Sequence, residues 1–343
     1  MAADGRRPVT GQSGRIDRRP LGRTGRTVSA LGLGMAAIGR PGYLNLEHGD
    51  DLSGRTAPAD LEAHAFELLD AAWDAGISYI DAARSYGRAE AYLASWLEVR
   101  GLNAHAARPT IGSKWGYAYV GGWRTDTEVH EVKDLSADQL ARQYGESRAM
   151  LGDRLDLLQI HSATVESGVL EDATVLDRLR TIRADGTPVG ITTTGPDQAT
   201  TIRRALEVSV DGAPLFDTVQ ATWNLLEPSA QPALAEACDT GMAVIVKEAL
   251  ANGRLAGRDD AVGRRLTAAD PDLTPDQVGL GAALAQPWVT VVLSGATTLD
   301  QLRSNLGGLT PAARSAGSEL ATTGELTEQA TTYWANRSSL AWT

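Results

Sequence analysis

The 343 residues include a single cysteine, Cys238, so no disulfide can form within the chain. That economy fits a reducing compartment. No stretch approaches the ~18 consecutive apolar residues that a membrane-crossing helix needs, so such a helix is excluded. Residues 1–20 lack an apolar core and do not read as a secretory signal, and the arginine pairs at 6–7 and 18–19 lack the apolar run of a twin-arginine signal. A cytoplasmic location is expected. Positive charge is short: 32 Lys and Arg face 43 Asp and Glu, a net charge of −11. Nucleic acid and anionic membrane surfaces both demand a basic face, so neither is expected as a partner. Lysine is scarcer still, confined to Lys114, Lys133 and Lys247. His48, His64, His105 and His130 form no metal-ligand spacing with the one cysteine, and no metal is expected.

What remains is ordinary globular material, 43% hydrophobic and 22% charged. The length suits two domains of ~150 residues or one large α/β barrel of ~250. Short β-rich apolar runs fall at 29–34, 77–83, 110–116, 155–162, 188–194, 216–223, 242–248 and 289–295. Helical patterns follow them near 60–75, 88–100, 137–151, 170–184, 197–208, 229–239, 275–285 and 298–306. Ser136 with Gln139, and Thr297 with Asp300, read as helix N-caps. Near-continuous apolar strands are those of a parallel sheet covered by helices. Eight strand–helix units without a composition break predict a (β/α)8 TIM barrel of the α/β class. A doubly wound sheet would announce itself by a glycine-rich phosphate loop, which Gly32–Ala37 does not complete. Residues 1–16 read as a disordered lead-in and 17–343 as one barrel domain. The stretch before the first barrel strand reads as a hairpin turning at Thr24-Gly25 and placed to plug the barrel bottom. A C-terminal extension from 308 includes a helical pattern within 326–342. Loops at 35–59 and 117–135 follow strand C-termini, the active-site end of such barrels.

At those strand ends stand ionisable residues. Strand 2 ends in Asp81, with Tyr86 just beyond; strand 3 ends in Lys114 and strand 4 in His161. Taken singly, an aspartate there is a cap or ion-pair partner, and a loop tyrosine or rim histidine is packing. A strand lysine among apolar neighbours is harder to dismiss, because a buried ammonium is costly unless paired. Asp81 is the obvious partner. An ammonium beside the Tyr86 hydroxyl would lower the phenol's pKa and let it exchange a proton with a carbonyl or alcohol oxygen. A neutral His161 would orient that oxygen. Trp115, Tyr117, Tyr119 and Trp123 cluster in and after strand 3, so a broad apolar pocket for a bulky or ring-bearing substrate is one reading; a self-packed loop is the other.

The set LGRTGRTVSALGLG, DAARSYG, SKWG, LDLLQIHS and SGATTLDQLRSNL resembles the aldo-keto reductases over roughly residues 17–308. The resemblance implies a barrel that binds NADPH across its C-terminal face, with NADH as the lesser option. It implies a catalytic tetrad of Asp81, Tyr86, Lys114 and His161, Tyr86 being the acid or base. Cofactor contacts carry over to Thr192, Gln220, Leu250, Gly253, Leu255, Gly295, Thr297, Gln301 and Asn305. Arg303 is the basic side chain offered to a 2′-phosphate. Where many members stack an aromatic ring on the nicotinamide, this chain has Lys247-Glu248, so Trp223 is a candidate cover; with Trp115 and Trp123 it completes the expected substrate pocket. Where many carry Ser-Asn at the end of strand 5, this chain has Thr192-Thr193. The implied activity is reduction of an aldehyde or ketone. The alternatives are an NAD(P)-dependent sugar or alcohol dehydrogenase and a nicotinamide-binding regulatory module with little turnover. The partner is a small carbonyl or alcohol; oligomeric state is left open.

Overall fold

The computed structural model describes residues 16–342 apart from 45, 47, 53, 103, 105–107, 211, 258 and 269. The lead-in over 1–15 and His105 lie outside the described residues. Ile16, assigned to that lead-in, is instead buried in the main core.

The strands in chain order are β1 (Arg18–Pro20), β2 (Thr27–Ser29), β3 (Leu31–Gly34), β4 (Tyr79–Asp81), β5 (Thr110–Trp115), β6 (Tyr117–Tyr119), β7 (Glu131–Lys133), β8 (Leu157–Ala163), β9 (Val189–Thr193), β10 (Ser209–Val210), β11 (Ala213–Pro214), β12 (Thr218–Thr222), β13 (Ala243–Lys247) and β14 (Val291–Ser294). Eight of them, β3, β4, β5, β8, β9, β12, β13 and β14, close a parallel barrel in that order. This is a (β/α)8 TIM barrel, and its strands fall within the eight runs expected from sequence except that β8 runs one residue past 162.

The helices are α1 (His48–Leu52), α2 (Pro58–Asp74), α3 (Ala89–Val99), α4 (Ala137–Leu151), α5 (Ala173–Ala184), α6 (Gln198–Glu207), α7 (Gln231–Asp239), α8 (Asp260–Leu266), α9 (Pro275–Leu284), α10 (Leu299–Leu306), α11 (Pro311–Thr323) and α12 (Ala330–Ser338). Ser136 caps α4 as expected, accepting from Gln139 N. At α10 the cap lies one residue later than expected: Thr298 and Gln301 form the capping box.

β1 and β2 pair antiparallel beneath the barrel. Leu21 and Val28 are fully buried against Tyr79, Leu157, Ala243, Ile245 and Val291, so the hairpin does stopper the bottom. Gly22 has φ +54°, and a Cβ there would stand 2.4 Å from the Asp217 carbonyl oxygen; only glycine fits that close approach. The loop 35–59 contains α1, and the loop after β5 is a β6–β7 hairpin. The C-terminal extension is two helices. α11, not anticipated, crosses α9 at contact distance, because Cβ atoms on Gly281 and Gly317 would each strike the opposing backbone at 2.3 Å. No helix of the described residues is long and apolar enough to cross a membrane.

Candidate active site

Strand parity places the chemistry. Side chains alternate across a strand, so Gly112 and Lys114 of β5 face the barrel interior, while Ile111, Ser113 and Trp115 face the helices. Ser113 accordingly donates to Glu90 of α3. Lys114 Nζ reaches both Asp81 carboxylate oxygens at 2.6 Å, the Ala82 carbonyl at 2.9 Å and the Tyr86 hydroxyl at 3.4 Å. His161 Nε2 lies 3.5 Å from the same hydroxyl. Gln220 of β12 donates Nε2 to the two Asp81 oxygens at 3.0 and 3.1 Å. The four residues nominated at the ends of three consecutive barrel strands therefore meet at the C-terminal mouth.

Burial governs their protonation. It pushes the Tyr86 phenol well above the ordinary range, with Asp81 and Glu131 adding to the effect and Arg40 opposing it. This corrects the expectation of a lowered phenol: the Lys114 contact is present, but loss of water outweighs it. Burial, helped by the Lys114 charge, drives His161 well below its usual value, so its ring is neutral. Burial also lowers Lys114, against the pull of Asp81.

The tetrad lies in the wall of a cavity of about 580 Å³. Of the proposed cofactor residues, Thr192, Gln220, Leu250, Gly253, Gly295, Gln301 and Asn305 line it. Leu255 and Thr297 do not. Leu255 is buried in the hydrophobic core, and the Thr297 hydroxyl donates to Gln301 Oε1 at 2.8 Å. The three nominated tryptophans are also absent from the cavity wall. Trp115 faces the helices by parity and is fully buried. Trp123 donates its indole N–H to the Thr56 carbonyl and lies under Arg88. Trp223 donates to Gln231 and packs edge-on against Trp288. The aromatic wall near Tyr86 comes instead from Tyr43, Tyr117 and Trp342.

Sequence reasoning placed Lys247 and Glu248 at the nicotinamide but missed Arg40 and Arg337 as members of this wall. Arg40, 2% exposed, donates to the Ser85 carbonyl at 2.8 Å and to Glu131 at 2.7 Å, and its guanidinium sits 5.4 Å from the Tyr86 ring centre. Glu131 belongs to the segment HEVKD, which reads from sequence either as a solvated loop face or as a contact for polar substrate groups; the cavity wall includes it. Glu248, at φ +54°, is gripped by Arg337 of α12 through Nε at 2.9 Å and Nη2 at 2.5 Å. Arg337 and Lys247 hold its carboxyl down to about 2 despite burial. Lys247 donates to the Thr222 hydroxyl at 2.9 Å, and burial brings its ammonium down to about 8. Among the described residues no group of three His, Cys, Asp or Glu is arranged to hold a metal.

A model of the aldo/keto reductase family matches residues 31–311. The chain belongs to this family. It is 34% identical over 161 residues to a pyridoxal 4-dehydrogenase of Microbacterium luteolum, covering 42% of this chain and 43% of that protein, so the match spans less than half of the relative. It is 29% identical over 250 residues to a D-threo-aldose 1-dehydrogenase of a Pseudomonas species, covering 69% and 70%. Among solved structures, an aldo-keto reductase of Bacillus halodurans in its holo form superposes with a TM-score of 0.67 at 19% identity, covering 92% of this chain and all of that one; this likeness concerns the fold.

Aldo-keto reductases use nicotinamide cofactors, and the cavity suits one. It extends from the tetrad to Ser304 and Asn305 on α10. At Gly295, just past β14, no atom lies within 4 Å of the place a Cβ would take, leaving backbone open to a close-lying ligand. Gly253, at φ +98°, turns the loop after β13 along the same cavity.

Proposed function

We propose that this aldo-keto reductase is an oxidoreductase of the cytoplasm that interconverts a carbonyl and an alcohol with a nicotinamide dinucleotide, in the first instance reducing an aldehyde or ketone. The observation that carries the reading is one hydroxyl: Tyr86 OH stands 3.4 Å from Lys114 Nζ and 3.5 Å from His161 Nε2, in the wall of the large cavity.

The bound dinucleotide would supply the hydride to the carbonyl carbon. The chain's part is to place and protonate the oxygen. A phenol held above its ordinary range keeps its proton at neutral pH, so Tyr86 is ready as the acid. The substrate oxygen becomes a far stronger base as the hydride arrives, so a weak acid suffices. Neutral His161 donates a hydrogen bond to that oxygen and fixes its direction. Lys114, anchored by Asp81, stabilises the phenolate left behind. Run backwards, the same groups oxidise an alcohol. Thr192, Gln220, Leu250, Gly253, Gly295, Gln301 and Asn305 would hold the dinucleotide, for which the resemblance implies NADPH.

Tyr43, Tyr117 and Trp342 line the substrate end with aromatic side chains, which suits a ring-bearing molecule. The name of one relative, pyridoxal 4-dehydrogenase, is that of an enzyme acting on a ring aldehyde, and supports this class. The name of the other, an aldose dehydrogenase, supports a sugar, and both names support the reverse, oxidising direction. A panel of aromatic aldehydes, ketones and aldoses, followed by nicotinamide absorbance in both directions, tests the reading. Tyr86→Phe should abolish turnover while leaving dinucleotide binding nearly unchanged. Full activity in that variant would remove Tyr86 from its role, and binding without turnover on any substrate would favour a regulatory module.

A further inference from the structure

We infer that the cavity prefers NADH to NADPH, the reverse of what the family resemblance implies; this rests on the reading that it holds a nicotinamide dinucleotide. The hydride must be delivered beside Tyr86, so the nicotinamide lies at the tetrad end. The adenosine half then falls toward β14, α10 and the start of α9.

The charge along the cavity is divided between these ends. Four cations line it: Arg40, Lys114, Lys247 and Arg337. All belong to the nicotinamide end: Lys114 touches Tyr86, Arg40 faces its ring, and Lys247 and Arg337 flank Glu248. At the adenosine end the lining holds two carboxylates, Asp276 and Asp300, and among the described residues no lysine or arginine. Arg303, the side chain offered from sequence to a 2′-phosphate, is absent from the lining and is bonded to Asp300 at 2.7 Å. Gln301, in the same wall, accepts at its amide oxygen from the Thr297 hydroxyl and backbone N–H, both at 2.8 Å, and brings no positive charge.

A 2′-phosphate brings close to two negative charges and needs a cationic or N–H-rich seat. Placed here it meets the nearly buried Asp276 carboxylate and, at the exposed edge, Asp300 paired with Arg303. An unmodified ribose brings hydroxyl donors, which a carboxylate accepts; that is how acidic residues select NADH in other dinucleotide sites. Asp276 is well placed for this, since its position is fixed by the Thr274 hydroxyl, which donates to Oδ1 at 2.6 Å, and it is nearly buried.

Equilibrium titrations of the intact protein by tryptophan fluorescence quenching test the inference without turnover. The probes are NADH against NADPH, and 5′-AMP against 2′,5′-ADP, pairs that differ only in the 2′-phosphate. Binding should favour the phosphate-free member by about tenfold or more in both pairs. Asp300→Asn, at an exposed position, and the isosteric Asp276→Asn should each narrow the ratio by tightening NADPH. Equal or tighter binding of NADPH by the native protein would overturn the inference, as would a ratio that neither variant moves. Failure of both dinucleotides to bind would overturn the underlying cofactor reading instead.

Discussion

The Lys114–Asp81 pair offers the sharpest quantitative test of how the tetrad is held. Both side chains are nearly inaccessible, at 2% and 1% exposure, and the ammonium contacts both carboxylate oxygens at 2.6 Å. Lys114→Met would leave Asp81 as a buried anion with only the Gln220 amide at 3.0 and 3.1 Å for compensation. Asp81→Asn would leave a buried ammonium with neutral acceptors alone, the new amide oxygen, the Ala82 carbonyl and the Tyr86 hydroxyl. Breaking a buried pair from one side costs about 3–5 kcal/mol, most of it the penalty on the abandoned charge. The Gln220 contact argues for the lower end of that range in Lys114→Met. The double variant carries no orphaned charge, so it should lose far less than the sum, a coupling of about 3 kcal/mol. Equilibrium urea unfolding of the native protein, both single variants and the double variant would measure it. Turnover should be lost in all three, because each disturbs the ammonium beside the phenol. Strictly additive stability losses would refute the argument that the charges are mutually dependent, and native-like turnover in Lys114→Met would refute its role beside Tyr86.

Two further outcomes follow from the second ionic cluster. Glu248 is held down to about 2 from 4.5, so its unfolded state binds more protons in that interval; its stabilising contribution is complete above about pH 4.5 and is lost as pH falls toward 2. Arg337→Met should therefore destabilise the protein at neutral pH by roughly 2–4 kcal/mol and flatten its acid sensitivity over that window; acid titrations of stability showing identical slopes would contradict this. Lys247 is brought down to about 8 from 10.5, the opposite case: burial of the charged form costs stability below about pH 8, and that cost is relieved as pH rises toward 10.5. The stability of the native protein relative to Lys247→Met should accordingly rise across that alkaline window, and a pH-independent difference would count against the burial argument.

Local pattern made the barrel legible because each strand is a short apolar run bounded by a helical period. The tetrad was legible for a related reason: a lysine or aspartate amid such a run has few explanations other than a partner inside the barrel. Parity carried more information than was drawn from it. Adjacent strand residues face opposite sides, so placing Lys114 in the cavity already sends Trp115 to the helix layer. Gln220 and Thr222 likewise point inward, with Thr222 bonded to Lys247, and that parity turns Trp223 outward. Trp115 and Trp223 were thus assigned to the pocket against a rule the sequence itself contains, whereas Tyr117 of the expected cluster does line it.

The remaining parts of the site were beyond local pattern, and they share one origin. Arg40, Glu131 and Arg337 come from a loop, a hairpin and the last helix, separated by up to hundreds of positions, and they meet only because the closed barrel brings its loops to one rim. Each satisfies a charge supplied by another segment: Arg40 by Glu131, and Glu248 by Arg337. A side chain whose partner is set by tertiary closure looks like ordinary surface charge in one dimension. The acidic far end of the cavity is the same phenomenon with the opposite consequence. Asp276 and Asp300 come from two different helices, and the nearest cation in sequence, Arg303, is turned onto Asp300 outside the cavity wall. Motif matching therefore places a dinucleotide on this barrel. Only the assembled charge distribution can say which dinucleotide, because the choice depends on whether any cation is left to meet a single phosphate.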